Sequence, residues 1–334
     1  YDALNRVASI TYQGGVVHTY QYDQGTNGKG RLTQITEPNS VTQYGYDQKG
    51  RLTAETRTIN AVAYTTGYGY DGFGRLASIT YPSGRTVTYT LDNLGRIQQI
   101  ATTKDSTTQT VVSSIAYRPF GPFQAFDLGN GQTHSRGFDQ DGRIASYSLL
   151  NQSVPVQSLA LGYDEASRIV QLSDKVTPAN TNLYGYDSLD RLLNMTAPSS
   201  NQGYTYDAVG NRLTKTVGAN SSTYAYAPTS NRLSTISGAN PRSYAYDNNG
   251  SITGDSVNSF GYDTRGRLMQ AITAGGTTSY QVNSLGQRIR KTNTQGDTVF
   301  HYDAQGRLIA ESSPAGAIRK EYIYLGDTPV AVIQ

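Results

Sequence analysis

The chain has 334 residues, of which 36% are hydrophobic and only 16% charged, and it carries a net charge of +3. That charge is too dilute to predict a nucleic-acid partner or a basic membrane surface, and no apolar run approaches the ~18 residues a membrane helix requires. Cysteine is absent, which excludes disulfides, cysteine-ligated zinc and thiol catalysis. Tyrosine supplies 27 aromatic residues against 7 phenylalanines and no tryptophan, and a ring that keeps a hydroxyl suits a sheet whose faces are only partly dry. Abundant β-branched residues and glycine, with no long helix-period segment, predict an all-β fold.

From the N-terminus, a motif that begins Tyr-Asp and ends Gly-Arg-Leu recurs down the chain. After a Tyr-Asp pair at Tyr1, copies follow at Tyr22-Asp23 with Arg31, Tyr46-Asp47 with Gly50-Arg51, and Tyr70-Asp71 with Gly74-Arg75, and a weaker copy opens at Leu91-Asp92. Residues ahead of the motif alternate with period two, as in Tyr44-Gly45-Tyr46 and Tyr68-Gly69-Tyr70, so two tyrosines share one face of a strand. Repeated across strands, these pairs are expected to stack as ladders of rings worth roughly 0.2–1 kcal/mol each. Asp-x-x-Gly reads as a turn, with the carboxylate accepting from backbone N–H groups two residues on and glycine supplying a positive φ. Arg-Leu then opens the next strand. In Leu32-Thr33-Gln34-Ile35 the apolar residues fall three apart, which breaks alternation and predicts a bulge. Second turns follow at Glu37-Pro38-Asn39-Ser40 and Pro82-Ser83-Gly84. Each repeat is thus a β-hairpin with a connecting turn, for roughly thirty strands in all.

Between Ala101 and Gly137 the spacing loosens. Residues 102–109 read as a polar loop, and Tyr117-Arg118-Pro119-Phe120-Gly121-Pro122-Phe123 followed by Leu128-Gly129-Asn130-Gly131 reads as a bend or sheet corner. A sugar site at that corner is the rival reading. Beyond it the motif resumes at Asp139 with Gly142-Arg143, Tyr163-Asp164 with Arg168, and Tyr186-Asp187 with Arg191. After a turn at Ala197-Pro198-Ser199 come Tyr206-Asp207 with Arg212, read as containing one extra residue, then Tyr226-Ala227, which lacks the aspartate. In the copy opening at Tyr246, Ser251 replaces the arginine. The last copies are Tyr262-Asp263 with Gly266-Arg267, Val282-Asn283, and Tyr302-Asp303 with Gly306-Arg307. A period of this kind points to stacked units that bury their core only against neighbours.

The repeated Asp and Arg are expected to shape turns and join adjacent repeats. An active site needs a few unlike groups converging, whereas this motif is one group copied at even spacing. His18, His134 and His301 are scattered and lack metal-ligand spacing. Asp139 with Asp141, and Asp187 with Asp190, are close enough in sequence to suggest the carboxylate pair of a glycoside hydrolase, yet each belongs to a repeat turn. No phosphate-binding loop, dinucleotide fingerprint or nucleophile elbow occurs. The sequence therefore assigns no catalytic, cofactor or metal residue, and the chain is read as no enzyme.

On Tyr-Asp…Gly-Arg-Leu, the Tyr117–Gly121 and Leu128–Gly131 segments, and the closing Glu321–Asp327 and Pro329–Val332 stretch, the chain resembles the RHS/YD-repeat family along nearly all its length. The resemblance implies a strip of antiparallel hairpins curling into part of a hollow shell. In bacterial members the shell encloses a C-terminal toxin domain, in polymorphic toxins, type VI secretion effectors and the C components of toxin complexes; in the teneurins it forms part of an adhesion ectodomain. The implied partners are a toxin enclosed in cis, the remaining shell segments, and secretion machinery or a toxin-complex B component. The implied location is secreted or delivered from a bacterium. Toxin-type members carry an autoproteolytic aspartate in a core segment after the repeats, and the chain stops before such a segment. Residues 1–334 are thus expected to be one continuous array with an irregular corner at about 101–137, a piece of a longer protein that starts in mid-repeat at Tyr1. The expected role is non-catalytic encapsulation; the alternative is an extracellular adhesion or carbohydrate-binding module.

Overall fold

The computed structural model describes residues 1–198 and 200–334, so the Ser199 end of the Ala197-Pro198-Ser199 turn lies outside the described residues. The fold is all-β, and the described residues form 32 strands and a single turn of 3-10 helix at Pro178–Asn180. The chain divides into two compact units: unit 1 comprises residues 1–113 and 260–334, and unit 2 comprises residues 114–259.

Most strands pair antiparallel with their successors along the chain, in a 22-stranded and a 10-stranded sheet that part between Arg242–Ser243 and Ala245–Tyr246. In unit 1, Ser40–Tyr46 pairs with Leu52–Ile59, which pairs with Val62–Tyr70, and that with Leu76–Thr80. In unit 2, Gln132–Phe138 pairs with Ile144–Asn151, then Val154–Tyr163, then Ile169–Asp174. The predicted bulge is present and regular. Gly45 faces Ala54 while Tyr46 faces Leu52, so Thr53 is the extra residue. The same slip follows the motif at Tyr22, Tyr70, Leu91, Phe138, Tyr163, Tyr186, Tyr206, Tyr226, Tyr246, Val282 and Tyr302. One inserted residue increases local twist and re-aims the side chains beside it. This is why apolar residues three apart in sequence serve one strand.

One expectation for the 101–137 stretch needs correction. The polar segment 102–109 is mostly strand: Ile97–Lys104 and Thr107–Tyr117 pair across the two-residue turn Asp105-Ser106, both at positive φ. β-branched threonines carry this hairpin, with Thr103 and Thr108 hydroxyls 2.8 Å apart across the strands. The Pro119-Phe120 segment is a further turn of the repeat kind. The Arg118 N–H donates to Pro122 O and the Gly121 N–H to Arg118 O, matching the bonds that Asp47, Gly50 and Arg51 make. Arg118 stands where other copies carry aspartate.

Unit 1 holds a two-layer core. Ile59, Tyr64, Ile289 and Val299 bury one another, with Val62 packed against them, so hairpins near residue 60 meet hairpins near residue 295. Each such side chain, fully buried, stabilises by about 1.5–3 kcal/mol. Polar groups also cross between these layers. The Tyr81 hydroxyl donates to Tyr322 O, the Ala304 N–H donates to the Tyr68 hydroxyl, and Arg85 pairs with Glu321 at 2.6 Å.

Candidate functional site

The motif residues build a ladder of turns, and one copy shows the chemistry. In the turn after Tyr46, one Asp47 carboxylate oxygen accepts the N–H groups of Lys49 and Arg51, and the other accepts Arg51 Nε at 2.6 Å. Gly50, at φ 79°, closes the turn by donating to Asp47 O. Arg51 then reaches out of its own repeat, with its guanidinium 4.5 Å from the centre of the Tyr70 ring. In return the Tyr70 hydroxyl donates to Leu52 O at 2.8 Å. Each repeat thus grips the next by a cation over a ring and by a hydroxyl on a carbonyl.

The scheme recurs with small variations. Arg75, Arg143, Arg168, Arg191 and Arg307 each bind their own aspartate, namely Asp71, Asp139, Asp164, Asp187 and Asp303. Arg143 lies over Tyr163, Arg168 over Tyr186 and Arg191 over Tyr206. The hydroxyls of Tyr22, Tyr46, Tyr163, Tyr186, Tyr206 and Tyr302 donate to carbonyls of the preceding repeat. Gly74, Gly142, Gly266 and Gly306 all have positive φ. Where glycine is missing, Ser167 and Asp190 adopt the same left-handed backbone, and their side chains accept from Arg143 and Arg168 of the preceding repeat, each at 2.7 Å. Backbone N–H donation comes first in holding Asp47, Asp71, Asp164 and Asp187 below the usual carboxylate range, with the arginine side chain adding to it.

Three predicted pairs are not brought together. Asp23 is bound by Arg6 of the preceding turn, because the longer loop after Tyr22 carries Arg31 away to Gly50 O and Lys29 O. Asp207 is bound by Asn211, not Arg212. The Tyr206 turn holds no extra residue: Asn211 occupies the arginine position and Arg212 the position of leucine, paired with Tyr206. Asp263 binds the Arg265 side chain at 2.8 Å, and only the backbone N–H of Arg267, whose guanidinium goes to Asn283 O. Tyr262 ends the strand Ser259–Tyr262 beside this turn.

The expected tyrosine ladders give way to alternating cations and rings. Some buried guanidinium nitrogens that lack a hydrogen-bond acceptor belong to arginines that cover rings: Arg51 Nη1 over Tyr70, Arg136 Nε over Phe123 and Arg212 Nε over Tyr224. The ring quadrupole offers a positive group the attraction that a missing lone pair does not. The tyrosine-to-carbonyl bond was missed as well. Its signal was the choice of tyrosine over phenylalanine, since a half-buried hydroxyl needs a partner.

As a catalytic arrangement the ladder is poorly suited. Arg143 pairs with both Asp139 and Asp141, and Arg168 and Arg191 neutralise Asp190 and Asp187. A glycosidase acid needs a raised pKa, whereas Asp139 and Asp187 are lowered. Among the described residues no cluster of three acidic or histidine side chains could hold a metal. Unit 1 also buries a polar network that no motif announced. Glu55 and Arg57 pair at 2.7 Å, both nearly inaccessible, and Arg57 reaches Gln287. Beside them His301 Nε2 lies 2.8 Å from Ser312 Oγ and its ring 4.3 Å from that of Tyr64. Burial first, then the Arg57 charge, pushes His301 down to about 3, and burial pushes Glu55 up.

Comparison with known proteins agrees with this geometry. The teneurin YD-shell family model matches residues 124–305, and the RHS repeat model matches 27–58, 60–86 and 70–108. A Tc holotoxin pore from Photorhabdus luminescens with a mutated TccC3 superposes with a TM-score of 0.73 at 15% identity, over 99% of this chain and 23% of that one. The TcdB2-TccC3-TEV crystal structure gives 0.72 at 15% identity, over 99% and 24%. The chain therefore spans about a quarter of the length of these solved chains. Comparison with curated proteins finds no match.

Proposed function

The chain belongs to the YD-shell family of RHS-repeat proteins, and we propose that it is a non-catalytic stretch of shell wall from a secreted bacterial toxin, whose role is to enclose a C-terminal toxin or effector domain. One observation carries the reading: in copy after copy, the motif's carboxylate is engaged within its own turn, and its guanidinium and hydroxyl in joining one repeat to its neighbour. Groups engaged in this way hold a wall together and leave little free for substrate chemistry. Likeness along 99% of the chain to shells that assemble with TcdB2 supports a toxin-complex setting. On this reading residues 1–334 form one continuous array, its partners are the remaining wall segments, the enclosed domain and a B-type component, and its site of action is outside the producing cell.

The test is protease protection in the longer protein that contains this chain. An enclosed domain stays intact under protease while an unfolded standard is digested, and Glu321→Ala, which loosens unit 1, exposes it. Digestion of that domain at the same rate in the intact protein would sink the reading. A second reading, an extracellular adhesion or carbohydrate-binding module, draws on two aromatics held out at turn tips, Phe73 and Phe120, 88% and 111% exposed. Retention of glycans on an array, lost in Phe120→Ser, would favour it.

A further inference from the structure

At one edge of unit 1 the charge pairing of the repeats breaks down. In most copies the motif arginine holds its own aspartate, as Arg51 holds Asp47 and Arg307 holds Asp303. In the copy opening at Tyr262, Arg265 takes Asp263 at 2.8 Å, and the Arg267 guanidinium turns to Asn283 O instead of a carboxylate. Arg265 donates to the same carbonyl at 3.3 Å, so two guanidinium groups crowd one uncharged acceptor. The next copy is neutral at the pair itself: Asn283 Nδ2 donates to Gln287 Oε1 at 2.8 Å, and the cation stands one place further on, at Arg288. Arg288 is exposed, with its guanidinium 4.7 Å from the centre of the Phe300 ring and 5.6 Å from that of Tyr280, and its side chain makes no ion pair or hydrogen bond to a described residue. The comparable copy at Asn211-Arg212 differs, because Arg191 ahead of it keeps Asp187. Arg267 leads into the strand Leu268–Thr273, which pairs with Gly276–Val282, and that with Arg288–Asn293. Arg267 and Arg288 therefore stand on one edge of the sheet, and they share a recess of about 300 Å³ lined also by Leu268, Tyr280, Val282 and Gly286, none of them acidic.

We propose that this recess binds a small phosphate-bearing molecule, its oxyanion held between Arg267 and Arg288. Strand backbones two places apart lie about 10 Å from each other, a gap that two arginine side chains can close around one tetrahedral anion. The planar guanidinium fork matches phosphate geometry, and the volume lies at the lower end of the ~300–1,000 Å³ of small-molecule sites. The inference is independent of the shell reading. The probes are inorganic phosphate and phenyl phosphate, titrated into the 334-residue chain at fixed ionic strength and followed by calorimetry and amide NMR. Phosphate is expected to shift the Leu268 and Gly286 amide signals. Loss of one charge-assisted contact weakens binding by about tenfold, so Arg267→Gln and Arg288→Gln should each do so with the fold intact by circular dichroism. Arg288→Lys keeps the charge without the fork and should fall between. Arg319→Gln is the control: that arginine donates to Asp297 O and lies outside the recess, so affinity should be unchanged. Tighter binding of phenyl phosphate would mark an organic phosphate ester as the occupant, and equal affinity the free anion. No binding at millimolar phosphate, amide shifts confined to residues away from 267–288, or a loss in Arg319→Gln equal to that in the two recess variants would overturn the proposal.

Discussion

The two units are built from the same motif yet bury very different interiors. Among the described residues, unit 1 contains nearly all the buried apolar side chains, including Ile35, Ile79, Val87, Ile100, Val112, Ile309 and Ile323, whereas unit 2 contributes only Phe126 and Tyr224 to that set. The turn ladder runs through both units with the same distances: Arg75 meets Asp71 at 2.7 Å in unit 1 and Arg168 meets Asp164 at 2.7 Å in unit 2. The ladder joins hairpins side by side in either setting. A dry interior requires something more, a second layer of hairpins facing the first, which unit 1 assembles from residues distant in sequence. Lateral cohesion and core burial are therefore separable in this fold.

The largest effect should come from cutting the link between layers. Glu321→Ala leaves Arg85 largely buried without its counter-charge, and an uncompensated charge of this kind costs about 3–5 kcal/mol. Hydrogen exchange should then speed up in Thr86–Leu91 and Ile318–Leu325 of unit 1 while Ile144–Asn151 and Val154–Tyr163 of unit 2 keep their rates. Equal acceleration in both would break the distinction drawn above.

Acid should separate the units next. His301 stays neutral in the fold down to about pH 3, whereas an unfolded imidazole takes up a proton near pH 6.5. The unfolded state thus binds more protons across that window, and stability falls as pH drops from 6.5 towards 3, by up to roughly 4 kcal/mol. The lowered aspartates act in the same sense below their ordinary range, and raised Glu55 opposes. His134 in unit 2 is lowered too, by burial and then Arg136, so the contrast is one of degree. Denaturation measured at several pH values should show His301→Gln flattening the slope for unit 1, and an unaltered slope would remove His301 from the account.

Turn glycines sharpen the comparison. Gly50 and Gly210 both have positive φ, but a Cβ at Gly50 would fall 1.8 Å from Arg31 Nη2, while nothing lies within 4 Å of one at Gly210. Gly210→Ala should cost only the left-handed backbone strain of roughly 1–2 kcal/mol. Gly50→Ala should cost more because Arg31 must also leave, and thermal melts giving equal losses would contradict the contact. A smaller effect is expected from Tyr46→Phe, which removes one hydroxyl-to-carbonyl bond at about 1 kcal/mol. Tyr186→Phe, whose bond is open to water, should cost less still.

The hairpin repeat, its turns and even its bulge were legible in the sequence, because each is set within a few residues by Asp, Gly and a broken alternation. The partners of the motif arginine were half legible. Pairing with Asp in the same turn could be read from spacing, whereas contact with the next tyrosine depends on how repeats stack. Counting along the motif failed at Arg212, since the structure keeps the turn length and lets Asn211 take the arginine's place. The polar run 102–109 misled because threonine is hydrophilic by composition yet favours strands by shape. The Glu55–Arg57–His301 network was invisible, as it requires residues more than 200 positions apart to meet.

The self-contained charge of each turn has a bearing on how such a chain could grow. In most copies the cation and its counter-ion arise within the same half-dozen residues, so the ion pair of each added turn contributes nothing to net charge. Every new copy also brings the ring, the hydroxyl and the guanidinium with which its predecessor and successor engage. Length is therefore free to vary by whole units, and internal duplication or deletion of a repeat should leave the flanking turns undisturbed.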